Sequence, residues 1–376
     1  MNKDLLKKID WIFFILLISL VLIGFILIFS SSKNLNESFN LFVIKSIFFI
    51  IIGFLILYIF ISIDHNRYID IEKNMYIIMI IMLISVLLFG EKINGSKSWF
   101  SIGFFGIQPA EFSKVMLILC LGSYFNNNYD KLNKWSSILN VFLYSLPPLI
   151  LILLQPDMGT AMVYVFIIFG MLFLSNADKK KVSIIFFSGI SFIIFWIIIH
   201  IVFGIPIFLS DYQIQRFTVF LNPYNDGKNG LGAGYNIIQS IIAIGSGGFF
   251  GKGFMKGTQI TFIPEHHTDF IFSVIGEEFG FVGVIILIII YFIFIIKALS
   301  IAHECLDYYG FIITIGFISM FLFHILENIG MSIGLMPVTG IPLPFISLGG
   351  SNLWTNFCAC GIILNISTKR PSRTLF

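Results

Sequence analysis

Ten runs of apolar residues, each close to the length of a membrane crossing, constrain this chain more than any other feature. A hydrocarbon layer about 30 Å thick takes about 20 residues of helix to cross. Unpaired backbone groups are so costly inside it that only helices and closed barrels span it. The runs lie at approximately 11–31, 43–63, 75–90, 110–125, 138–154, 158–175, 182–204, 270–296, 308–330 and 350–367. They predict an all-α polytopic membrane protein forming a single membrane domain over 1–376. Composition excludes a soluble domain, because only 11% of the residues are charged against about 25% in ordinary globular proteins. Cys120, Cys358 and Cys360 fall in apolar runs and Cys305 in a polar loop, so no disulfide framework is expected. No small-residue cleavage site follows the first run, and Trp11–Ser30 is read as a retained span. Pro147-Pro148 is expected to break or kink the fifth span, and the freed carbonyls to need protein partners.

Basic residues orient the spans, because short cytoplasmic loops accumulate Lys and Arg. With the N-terminus inside, fourteen of the 23 fall in inner segments, and the short outer loops hold only Lys33, Lys92 and Lys97. This predicts an even number of spans with both termini cytoplasmic. The outer face carries the longer connections, 91–109, 205–269 and 331–349, the largest between spans seven and eight. Long connections in a compact protein are usually functional, which places the chemistry outside.

Four stretches carry chemically informative residues. IPEHHTDFIF (Ile263–Phe272) opens the eighth span and packs Glu265, His266, His267 and Asp269 together. One reading is a carboxylate general base with substrate-binding neighbours; the other is helix capping by Thr268 or Asp269. A two-histidine metal site fits poorly, since adjacent side chains of an extended segment point to opposite sides. QPAEFSK (Gln108–Lys114) sets Glu111 and Lys114 three apart on one helix face, where they can pair. Ionisable groups at membrane depth mark a site or pathway, although a snorkelling lysine gives the same pattern. Gly227–Gly257 contains ten glycines with Lys228, Lys252 and Lys256. It can cradle phosphate or serve as a flexible packing loop, and it lacks the Walker A spacing. Within it, Tyr235–Gly245 is read as an outer re-entrant or surface helix. Met336–Ser351 is an uncharged loop with three prolines, read as a structural lid, and Glu327 and Asn328 just before it can line a polar cavity. Asp157 in QPDMGT (Gln155–Thr160) is read as a helix cap.

In this order on a ten-span chain, these stretches resemble the SEDS family of bacterial shape, elongation, division and sporulation proteins. The resemblance runs from about Trp11 to Ile366. It also takes in NGSKSWF (Asn94–Phe100), YNIIQSIIAIGSGGFFGKGF (Tyr235–Phe254) and EEFGFVG (Glu277–Gly283). IAIGSGG and IPLPF are closer to the elongation members (RodA type) than to the division members (FtsW type). The resemblance implies a peptidoglycan glycosyltransferase that polymerises lipid II at the outer face of the cytoplasmic membrane. A lipid II flippase, a division-specific enzyme and a non-catalytic scaffold are the alternatives. It implies that Asp269 is the catalytic base and that Glu111 and Lys114 contribute. Lys114, Arg216 and Lys252 would balance pyrophosphate charge, and Gln239, Ser240, Glu265, His267, Thr268, Glu327, Asn328 and Ser351 would line the substrate site. No organic cofactor is implied; a divalent cation, Mg or Mn, is compatible with the chemistry. The implied partners are a class B penicillin-binding protein and elongation proteins of the MreC, MreD and RodZ type, with no nucleic acid. Three positions depart from the family pattern: Ser98 where an arginine is usual, Leu348 where a tyrosine is common, and a longer Tyr224–Gly230 segment.

Overall fold

The computed structural model describes residues 8–32, 38–93, 96–102, 105–203, 216, 218–224, 230–232, 234–264 and 266–369. A helix stands at each of the ten apolar runs. These are α1 (Trp11–Ser32), α2 (Ser38–Ser62), α3 (Glu72–Phe89), α4 (Pro109–Asn127), α5 (Trp135–Leu154), α6 (Met158–Leu174) and α7 (Lys179–Phe203). After α8 (Tyr235–Ser246) come α9 (Ile271–His303), α10 (Tyr308–Ser332) and α11 (Gly350–Ser367). Among the described residues, six helices are long and apolar enough to cross a bilayer by length and composition, and α6 is apolar but shorter. Between α3 and α4 the chain forms a small antiparallel sheet, β1 (Glu91–Ile93), β2 (Ser96–Ile102) and β3 (Phe105–Ile107), which sequence reading did not foresee.

Two helices form the interior. The most apolar stretch of α10 is 78% buried, against 22–39% in the other five long helices, and α10 packs on α4, α6 and α9. Every residue of α11 is buried. It lies against α2, where a Cβ on Gly53 would stand 2.2 Å from the Phe357 ring, so only glycine admits this contact. The peripheral helices instead present large apolar side chains such as Ile15, Ile51, Ile81, Leu143 and Phe187 outward, the surface hydrocarbon solvates.

Of the expected break or kink at Pro147-Pro148, the break does not occur, since α5 runs on without interruption, and the expected protein partner for a freed carbonyl is present. Pro148 has no N–H for the Tyr144 carbonyl one turn back. The Tyr76 hydroxyl of α3 donates to that carbonyl at 2.9 Å and replaces the missing bond. A break appears elsewhere, in α9 at Gly280, whose φ of 62° and ψ of −160° leave the helical region. The loop after α8 docks into it: Phe281 N donates to Gly248 O, and Lys252 N and Gly253 N donate to Glu277 O and Glu278 O. A side chain at Gly280 would meet Gly251 N at 2.3 Å. The segment after α8 is therefore docked on α9, and α8 itself lies on α9.

Candidate active site

The outer ends of α9 and α10 meet beneath the loop 333–349. Asp269 stands one residue ahead of Phe270, the N-cap of α9, so the carboxylate precedes the capping position. Its backbone is held from two sides. Asn328 Nδ2 of α10 donates to Asp269 O at 2.8 Å and also to Ile341 O at 2.8 Å, tying helix, carboxylate segment and loop together. Ser347 Oγ donates to Thr268 O at 2.6 Å, and Leu348 N donates to His267 O at 3.0 Å. The Asp269 carboxylate faces the loop at Gly340, where a Cβ would stand 3.3 Å from Oδ2. Gly340 also has a φ of 76°, so the position favours glycine on both counts. One residue earlier, Thr339 Oγ1 donates to Glu327 Oε1 at 2.7 Å, bringing a second carboxylate to the same turn.

The proline-rich loop is a rigid roof. Tyr291 OH donates to Pro344 O at 2.5 Å, and Leu343 N donates to Ser347 Oγ at 2.8 Å. Phe345 adopts a φ of 64°, strained for a bulky residue. It is held by rings of Phe294, Phe321 and Phe357 with centroids within 6.1 Å. Strain of this kind persists only where packing over-determines it.

A second polar cluster lies beneath the site in the helix interior. Lys114 Nζ donates to Glu111 Oε1 at 2.8 Å, the pairing that the three-residue spacing predicts. It also lies 3.0 Å from His324 Nε2. His324 Nδ1 is 2.7 Å from Met320 O, so that nitrogen carries the proton and Nε2 accepts from the lysine. Asn352 Nδ2 donates to Glu111 Oε2 at 3.0 Å and completes the enclosure. With Lys114 1% exposed and Glu111 4% exposed, both are enclosed by protein.

Several expected substrate residues have other work. Lys252 is held in an ion pair: its ammonium donates to Glu277 Oε1 at 2.5 Å. Glu277 also accepts the amides of Thr258, Gln259 and Ile260, so the pair fastens the loop to α9. Ser240 is fully buried, bonded to Ser273 Oγ and Ser332 O at 2.6 Å each, and joins α8 to α9 and α10. Ser351 Oγ accepts from Gln108 N at 3.0 Å and positions the start of α4. Gln239 is half-buried on α8, and Arg216 is half-buried in the long outer segment. Glu265 lies outside the described residues. His267 is half-buried against the Phe42 ring at 4.5 Å. His266 lies between two carbonyls, Nδ1 2.7 Å from Ile263 O and Nε2 3.0 Å from Ser31 O. Among the described residues no group of three or more His, Cys, Asp or Glu side chains is placed to hold a metal ion. Asp157 caps α6 as expected, accepting from Thr160 N at 3.0 Å, and also receives Gln108 Nε2 at 2.8 Å.

The sequence reading missed His324, Thr339, Gly340 and Asn352. His324 carried a signal, being an ionisable group within an apolar run; the other three are uncharged and carried none.

A family model described as a cell cycle protein of the FtsW, RodA and SpoVE type matches residues 10–372. The peptidoglycan glycosyltransferase RodA of Treponema pallidum is 33% identical, over 96% of this chain and 98% of that protein. The peptidoglycan glycosyltransferase MrdB of Escherichia coli is 36% identical over 85% of this chain and 84% of that protein. A probable peptidoglycan glycosyltransferase FtsW of Haemophilus influenzae is 34% identical over 96% and 89%. Among solved structures, a chain from work on coordination of polymerization and crosslinking by a peptidoglycan synthase complex superposes with a TM-score of 0.80. It is 28% identical and covers 97% of this chain and 99% of that one. The rod shape determining protein RodA of Thermus thermophilus superposes with a TM-score of 0.69 at 26% identity, over 96% and 97%. With its motifs, its helices and nearly its whole length in agreement, the chain belongs to the SEDS family of FtsW, RodA and SpoVE type membrane proteins.

Proposed function

We propose that this chain is a peptidoglycan glycosyltransferase that joins lipid II units into glycan strands at the outer face of the bacterial cytoplasmic membrane, serving elongation and rod shape. The observation that carries the reading is the setting of Asp269: a carboxylate ahead of the N-cap of α9, on a residue whose backbone carbonyl Asn328 holds beneath a rigid roof. In the proposed step the Asp269 carboxylate takes the proton of the acceptor sugar's 4-hydroxyl. That oxygen bonds to the donor's anomeric carbon while the carbon–oxygen bond to pyrophosphate breaks, and undecaprenyl pyrophosphate departs with the bonding pair. The proton then passes from Asp269 to solvent. A positioned base contributes about 10²–10⁴-fold to such a step. Lys114 pairs with Glu111 and Lys252 with Glu277, and with Arg216 they are the cations that would balance the charge of the leaving group.

The elongation assignment rests on the IAIGSGG and IPLPF segments. A class B penicillin-binding protein is the proposed partner, a reading supported by similarity to a chain of a peptidoglycan synthase complex. Lipid II and elongation proteins of the MreC, MreD and RodZ type enter through the family resemblance. The test combines the purified protein, its transpeptidase partner and lipid II. Glycan strands from the wild type that disappear in Asp269→Asn support the enzyme, and unchanged polymerisation by that variant contradicts the assignment of the base. Lipid II transfer across proteoliposomes without polymer would favour the flippase.

A further inference from the structure

One face of α10 carries His324, Glu327 and Asn328, three and four residues apart as one helix face requires. All three are buried. The outer two serve the roofed site: Glu327 receives Thr339 of the loop, and Asn328 holds the Asp269 carbonyl. His324 lies one turn further in, where its Nε2 meets Lys114 of α4. Stability does not call for this contact. Apolar side chains in place of a buried ion pair are often as stable or more so, and α4 and α10 pack together in any case. What the contact supplies is a defined place for a cation. An ammonium enclosed by helices needs acceptors for its protons. Glu111 Oε1 takes one at 2.8 Å and His324 Nε2 a second at 3.0 Å. A second carboxylate there would leave the cluster negative, whereas a neutral imidazole accepts the proton and adds no charge.

The choice of nitrogen is preset by the helix itself. Met320 O, one turn back on α10, can only accept, so Nδ1 carries the hydrogen and Nε2 keeps its lone pair for Lys114. Glu111 is steadied from the other side by Asn352 Nδ2 of α11 at 3.0 Å. Each ion of α4 thus has one uncharged partner on a different helix, which fixes the pair against α10 and α11 together. We infer that His324 is a positioning residue for glycosyl transfer: through Lys114 it holds the cation of α4 in register with the α10 face that carries Glu327 and Asn328. This role rests on the glycosyltransferase reading and on the part it gives to Lys114. His324 acts through that lysine and takes no part in the bond changes.

Three substitutions separate the two ring nitrogens. His324→Gln places an acceptor near the Nε2 position, His324→Asn restores only a donor near Nδ1, and His324→Leu removes both. Each is assayed with the transpeptidase partner and lipid II, beside a melting curve. The Leu and Asn variants are expected to lose about 10- to 100-fold in kcat with KM little changed, the scale of a misplaced group near the chemistry. The Gln variant is expected to recover most of that loss. Wild-type kcat in a folded Leu variant, an equal loss in Gln and Leu, or recovery by Asn as full as by Gln overturns the assignment. So does a loss that merely follows the melting temperatures. The independent measurement is the nitrogen NMR spectrum of protein isotopically labelled at histidine, with His324→Gln identifying the signals. Nδ1 should be protonated and Nε2 bare at pH near 7, and the Nε2 resonance should move in Lys114→Met. A protonated Nε2, or one indifferent to Lys114→Met, overturns the contact whatever the kinetics. A wild type that makes no polymer contradicts the transferase reading alone, and the spectrum still decides whether His324 holds Lys114.

Discussion

Asn328 illustrates how single residues build the site. Both of its amide protons go to carbonyls on separate segments, Asp269 O and Ile341 O. Asn328→Ala would leave two buried acceptors unpaired and is expected to cost about 2–4 kcal/mol. A lowered thermal transition in detergent and a fall in kcat, with KM little changed, would report it. Asp269, Glu111 and Lys114 were legible in the sequence because ionisable residues stand out against an apolar background. Thr339 and Gly340 were not, because their importance comes from a turn that exists only once the loop folds over Asp269. The ion pair of Lys252 was hidden for the same reason: its acceptor, Glu277, is 25 residues away and meets it only through the break in α9.

At the scale of elements, the crossings were legible because hydrocarbon demands an unmistakable composition. Their deviations from ideal helices were not. Pro147-Pro148 looked like a break, yet the Tyr76 hydroxyl repairs the carbonyl left by Pro148. Tyr76→Phe is expected to destabilise α5 by about 1–2 kcal/mol. The same change beside Pro148→Ala should cost much less, since the new N–H supplies the bond, and a double-mutant cycle on thermal stability measures the coupling. Gly280 gave no warning, because a glycine between Phe279 and Phe281 reads as part of an apolar helix. Glu277, which gathers three amides and Lys252 at that break, is fully buried. Glu277→Ala should free the loop after α8 and cost about 3–5 kcal/mol, the penalty for breaking a buried ion pair. Faster proteolysis within 249–260 would show it.

For the whole molecule, the charge bias of the loops predicts the topology. Leu335 and Tyr129 are both exposed, and the charge bias puts the first on the outer side and the second on the inner side. In whole cells an impermeant maleimide should label Leu335→Cys directly and Tyr129→Cys only after permeabilisation. Native Cys305 should react slowly, since burial pushes its thiol up to about 11. The cytoplasmic ends are fastened by His65, whose Nε2 lies 3.0 Å from Asp307 Oδ2 and whose Nδ1 lies 3.1 Å from Asn365 Oδ1. Burial alone would raise the Asp307 carboxyl, but hydrogen bonds from His65 and the Gly310 amide outweigh it and hold the group below its ordinary value. A depressed carboxylate stabilises the fold above its unfolded value and loses that contribution as pH falls through the folded one. The clasp should thus be intact at neutral pH and fail only in acid, below about pH 4. Asp307→Asn should lower the melting temperature at pH 7 and flatten the acid side of the profile. These constraints hold the outer ends of the helices still around one carboxylate. The most direct test is the rate of glycan polymerisation by Asp269→Asn, measured with its partner on lipid II beside a melting curve. The account predicts a loss of at least about 10²-fold with the wild-type melting temperature retained, and a folded variant that polymerises at the wild-type rate would contradict it.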